Sequence, residues 1–139
     1  MTPHRYRHAL SALTVVALWA TAPFPAFAQA PAGNAERGKA IFIEHCAVCH
    51  GDRAKGNGVA ASSLRTRPTD LTKLAKPPGT FPADRVDAVL RGNTPVTLHG
   101  TATMMIWGAV FLADANGNST VANQRIADVI EFIRSVQAK

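Results

Sequence analysis

Cys46-Ala47-Val48-Cys49-His50 is the stretch of this 139-residue chain whose residue types and spacing can do chemistry. Two thiols two residues apart, with an imidazole directly after the second, form the C-x-x-C-H pattern of covalent haem attachment. The thiols add across the two porphyrin vinyl groups as thioethers, and they reach both vinyls only if the backbone turns between them. The histidine then falls beneath the ring, where a neutral imidazole nitrogen can ligate iron. Both cysteines of the chain lie in this motif, so none is left for another bridge. Two other chemistries use such a pair. A dithiol oxidoreductase wants its C-x-x-C beside a βαβ pattern, which the sequence lacks, and gives no reason for a histidine at position 50. A zinc site needs four ligands. His45 or His99 would complete a set with Cys46, Cys49 and His50, but nothing pairs them at finger-like spacing. The cofactor the motif implies is one covalently attached haem c.

An iron held by one histidine still has a second face. A filled sixth position passes electrons, whereas an open one binds small ligands or does chemistry. Outside the leader discussed below, the chain offers Met104, Met105, His45 and His99. His45 precedes Cys46 directly, cannot easily reach round to the opposite face, and is expected as an exposed helix-end residue. The other three lie 49 to 55 residues beyond His50, far enough to loop over the ring edge. A thioether is soft, favours Fe(II) and raises the potential relative to two histidines. On chemistry alone Met104, Met105 and His99 stay open.

The N-terminal sequence bears on where such a motif would be loaded. Arg5 and Arg7 precede an uncharged apolar run, Ala9 to Ala22, which Pro23-Phe24-Pro25 ends before an A-x-A site at Ala26-Phe27-Ala28. These are the three regions of a secretory signal peptide. The run of 14 residues is too short to span a bilayer of roughly 30 Å as a helix. The expected division is therefore a cleaved leader over 1–28 and a single domain over 29–139, located in the periplasm. Losing Arg5 and Arg7 lowers the formal charge from +6 to +4. That is mild, and no basic stripe points to nucleic acid. Arg53, Lys55, Arg65, Arg67, Lys73 and Lys76 concentrate in the middle third. No second apolar run has membrane length, so no stable insertion is expected after cleavage.

The elements that must position the motif read as all-α, four or five helices with long loops around the haem. Asn34 caps a helix from Ala35 to about His45, with Glu36 in its first turn and Gly38, Ile41 and Phe42 on one face. Glycine inside a helix costs about 1 kcal/mol relative to alanine; close approach of another helix would compensate. Gly51 to Gly58 is too glycine-rich for helix. Thr69 or Asp70 can cap a short helix to about Ala75, and Lys76-Pro77-Pro78-Gly79 is a breaker. A helix from Pro82 or Ala83 to Arg91 buries Val86, Val89 and Leu90 and stops at Gly92-Asn93. Thr94 to Trp107 reads as an irregular crossing segment, and a helix starts near Trp107. The turn at Asp114 to Ser119 leads into an amphipathic helix from about Val121 to Val136, capped by Thr120 or Asn123, with Val121, Ile126, Val129, Ile130 and Ile133 inward.

The run Gly38…Phe42…Cys46-Ala47-Val48-Cys49-His50-Gly51…Pro68-Thr69-Asp70-Leu71-Thr72…His99-Gly100…Met104-Met105-Ile106-Trp107-Gly108 resembles the class I monohaem cytochromes c of bacteria, over nearly all of 29–139. Members commonly read Gly-x-x-x-Phe before the haem motif and Met-Pro-x-Trp-Gly around the distal ligand. The resemblance implies His50 and Met104 as axial ligands. It departs at Met105, where proline is usual; that loses stiffness in the ligand loop and adds a competing sulfur. His99 matches a His-Gly that does not ligate iron. The family fold implies N- and C-terminal helices crossing at Gly38, Phe42 and Phe132. It also implies that the Pro68 carbonyl accepts from the other imidazole nitrogen of His50, and that Trp107 lies near a propionate. The function expected is non-enzymatic: single electrons carried between a dehydrogenase or membrane complex and a terminal acceptor such as an oxidase or another cytochrome. A haem enzyme or gas-binding protein with an open or labile distal site is the alternative.

Overall fold

The computed structural model describes residues 31–75, 79–94 and 104–138. The leader, positions 76–78 of the breaker and most of the crossing segment, with His99, lie outside the described residues. Five α-helices and no strand occur among those that are described.

Asn34 opens α1 (Ala35–His45), its side chain accepting from the Arg37 amide at 2.9 Å. This satisfies one of the donors a helix start leaves without an intrahelical partner. Cys46 joins α1 to the single turn of α2 (Ala47–His50). The segment after α2 is looped, with 3₁₀ turns at Ala61–Ser63 and Leu71–Lys73. The short helix expected to run to Ala75 is only the second of these turns. Asp70 caps it, accepting from the Thr72 amide at 3.0 Å and the Thr72 hydroxyl at 2.6 Å. α3 (Ala83–Arg91) ends on Gly92 at φ 75°, the left-handed position glycine tolerates. Leu90 is buried; Val86 and Val89, expected inward with it, are half-buried.

α4 (Trp107–Asp114) and α5 (Ser119–Ser135) follow. α5 starts two residues earlier than the periodicity suggests. Its cap is Asn118, which accepts from the Val121 amide at 3.2 Å, and neither Thr120 nor Asn123 plays that part. Val121 therefore sits in the first turn and points outward, 41% exposed. The buried face of α5 is Ala122, Ile126, Val129, Phe132 and Ile133.

α1 crosses α5, and this contact organises the fold. Gly38 is the reason the two backbones approach so closely. A Cβ there would run into the Asp128 carbonyl oxygen and lie 3.0 Å from the Phe132 Cβ. Phe42 packs one helical turn further on, its ring centroid 5.0 Å from that of Phe132. Phe42, Phe111, Ile126 and Val129 are the largest fully buried side chains, and each contributes about 1.5–3 kcal/mol of burial. Across the same crossing, Asp128 is buried and accepts from Arg37 Nε at 2.8 Å, Arg37 Nη2 at 2.9 Å, the Asn34 amide at 2.7 Å and Gln124 Nε2 at 2.9 Å. α3 and α4 pack on α5 and on one another. The far end of α5 is fastened by Gln137. Its oxygen accepts from the Leu74 and Ala75 amides at 2.9 and 2.8 Å, and its nitrogen donates to the Leu71 and Ile133 carbonyls at 2.7 Å each. No helix among the described residues is long and apolar enough to cross a membrane.

Candidate haem-attachment site

α2 supplies the turn that the paired thiols require. The His50 amide donates to the Cys46 carbonyl at 2.9 Å and the Cys49 amide to the same oxygen at 3.2 Å. Cys46, Cys49 and His50 are then positions i, i+3 and i+4, which share one face of a helix. Gly51, at φ 76°, ends the turn. Cys46 and His50 are buried and Cys49 is half-buried.

The loop beyond α2 folds back along it. Gly56, Gly58 and Ala60 donate to the carbonyls of His50, Cys49 and Val48 at 2.7, 3.0 and 2.9 Å, and Leu71 donates to Ala54 at 2.8 Å. This brings a backbone carbonyl to the imidazole: the Thr69 oxygen lies 3.1 Å from His50 Nδ1. A carbonyl can only accept, so Nδ1 carries the proton in this contact. The family resemblance implied the Pro68 carbonyl in this part, and the structure shifts the acceptor by one residue. Pro68 is buried, and its own carbonyl oxygen faces Gly56, where an added Cβ would collide with it. The close approach of Gly56 thus turns the preceding carbonyl away and leaves that of Thr69 for the imidazole.

Electrostatics separates the chemistries open to a C-x-x-C pair. Burial, with a smaller effect from the neighbouring Cys49, pushes the Cys46 thiol up to about 12. Dithiol oxidoreductases depress such a value to make a thiolate nucleophile. At Cys46 burial acts in the reverse direction.

Met104 is half-buried and packs against the core cluster. Met105, the next residue, is 56% exposed. Trp107 begins α4, half-buried, with its ring centroid 5.3 Å from His45 and 5.7 Å from Phe111. His45 is therefore no exposed helix end. Its side chain is 22% exposed, because α4 closes over it. A cleft of about 410 Å³ lined by Ile41, Glu44, His45, Asp114 and Arg125 lies beyond that ring and contains none of the motif residues.

The donor set fits a covalently held haem: two thiols and an imidazole on one helical face, the imidazole tautomer fixed, and a thioether against the same apolar core. The cytochrome c family model matches residues 35–137. This chain belongs to the cytochrome c family. No curated protein and no solved structure matches it. Membership implies covalently attached haem c and exchange of electrons with redox partners, so this cytochrome is a haem-based electron-transfer protein. Three features of the cytochrome escaped its sequence: Asp128 in the helix crossing, the Thr69 acceptor, and the ring contacts of His45. An acid at position 128, amid the apolar stripe of α5, was the one available signal for the first.

Proposed function

We propose that this cytochrome is exported by its N-terminal leader and carries single electrons in the periplasm between a dehydrogenase or membrane complex and a terminal acceptor. One haem is joined to Cys46 and Cys49, with His50 and Met104 as the axial ligands. The observation that carries the reading is the shared face of Cys46, Cys49 and His50, with His50 Nδ1 held by the Thr69 carbonyl. When bound, the haem supplies a one-electron couple. The chain does the rest. The Thr69 contact orients the imidazole and raises its basicity as a ligand. Phe42 and the core around it exclude water from the buried side, which favours the less charged state of the centre. Burial favours Met104 over Met105 as the thioether: Met104 lies against the core, and Met105 faces solvent.

A spectrum of the purified protein tests this. Sharp reduced bands that survive acid–acetone extraction are expected, since thioether links withstand it. Rapid CO uptake by a high-spin ferrous form would instead mean an open distal face and ligand-binding chemistry.

A further inference from the structure

We propose that His45 is a positioning residue for the Met104 sulfur. The inference rests on the reading of Met104 as the distal ligand. His45 is the last residue of α1, directly before Cys46. Its ring packs against two side chains one helical turn apart on α4: Trp107, at 5.3 Å with planes tilted 55°, and Phe111, at 5.5 Å and 68°. Those two rings also meet, at 5.7 Å. Trp107 is the first residue of α4 and lies three residues after Met104. The imidazole thus joins the haem-attachment turn to the point where the Met104 segment enters helix.

Two observations give this contact work beyond filling space. α4 has no side-chain cap at its N-terminus, and residue 105 is methionine, so no ring fixes φ between Met104 and the helix. Ile106 lies against Gly92 and Trp107 against the core, and the aromatic contact adds the tie from this entry to the haem-attachment turn. Further along α4, Phe111 keeps contacts of its own without His45: it is buried in the core and has Arg125 over its ring at 5.9 Å. Loss of His45 should therefore loosen the Trp107 end and leave the helix docked. The outer edge of the imidazole explains why a polar ring is tolerated here. It faces the cleft of Glu44, Asp114 and Arg125, with Nε2 3.7 Å from the Glu44 carboxylate.

The test is competition for the distal position in the ferric, haem-loaded protein. Exogenous imidazole is titrated while the methionine-to-iron charge-transfer band is followed, with far-UV circular dichroism to check the fold. His45→Ala is expected to bind imidazole about tenfold tighter and to weaken the band, and His45→Phe to restore both. A folded His45→Ala protein with wild-type affinity and band would overturn the proposal, as would a failure of phenylalanine to rescue. If His45→Ala does not fold, His45→Leu keeps apolar bulk without an aromatic ring and is read in the same way. If the wild-type protein has no such band and Met104→Ala leaves its spectrum unchanged, the Met104 reading itself falls and takes this proposal with it.

Discussion

The Arg37 guanidinium on α1 donates twice into the carboxylate of Asp128 on α5, with the Nε contact at 2.8 Å and the Nη2 contact at 2.9 Å. Burial pushes the Asp128 carboxyl up, but hydrogen bonds from Arg37, Gln124 and the Asn34 amide, with the Arg37 charge, together hold it below its ordinary value. Arg37 is itself more than half exposed, so water screens much of the ion pair. The larger effect lies with the buried acceptor. Asp128→Ala strands the Asn34 amide and removes the acceptor of both Arg37 contacts, while Gln124 Nε2 keeps only its bond to the Ala32 carbonyl. We expect it to cost about 2–3 kcal/mol, seen as a fall in Tm of at least roughly 10 °C for a domain of this size.

The same pair sets a pH dependence. The folded value of Asp128 lies below the unfolded one, so in that window the unfolded chain binds more protons and stability rises with pH. The contribution is complete above the unfolded carboxylate value of about 3.9 and is lost as pH falls through the folded one. Asp70, lowered by its Thr72 hydroxyl bond against a smaller burial effect, acts in the same direction. Urea melts of wild type and Asp128→Asn below about pH 5 should converge as acid is added.

Gly38→Ala inverts the usual propensity rule. In an open helix the change would stabilise by about 1 kcal/mol. Here the new methyl meets the Asp128 carbonyl and forces α1 from α5. Destabilisation of about 2–3 kcal/mol is expected, measured by the midpoint of chemical unfolding.

Gly56→Ala attacks the imidazole through its acceptor. Position 56 has φ 71°, and a Cβ there would collide with the Pro68 carbonyl. We expect a loss of roughly 2 kcal/mol from the left-handed backbone and the collision. Displacing the Thr69 carbonyl from His50 should also shift the reduction potential, read by potentiometric titration.

Met104→Ala should give a high-spin species with a lower potential, and Met105→Ala should leave both nearly unchanged. Absorbance and a redox titration of the two variants decide it. The reverse result would move the distal ligand one residue along.

What was legible in the sequence was what local rules encode. Asn34 before a first-turn acid, Gly92 after an apolar run, and the i, i+3, i+4 spacing of Cys46, Cys49 and His50 all act within a turn or two. Gly38 signalled a close helix approach because glycine is costly in a helix, and Phe132 could be paired with it through the family resemblance. Asp128 stayed hidden because its main partner, Arg37, stands 91 residues away. The cap of α5 was left between Thr120 and Asn123 because Asn118 and Ser119 read as part of the preceding turn, and only backbone geometry starts the helix at Ser119. The choice between the Pro68 and Thr69 carbonyls has no periodicity behind it; it is set by Gly56 approaching from another part of the loop. His45 looked exposed because α4, which covers it, arrives sixty residues later.

The crossing of the first and last helices also imposes an order in time. Phe42 has no partner in α5 until nearly the whole chain has been made, and closing so long a loop is slow. The two thiols, directly after α1, must wait in an open chain during that interval. Once α5 docks, Cys46 lies buried in the same core as Phe42 and Phe132. The proposed attachment of haem to these thiols is therefore easier before closure, while both are accessible. The long-range contact that stabilises the finished domain thus also sets how long the two thiols stay accessible.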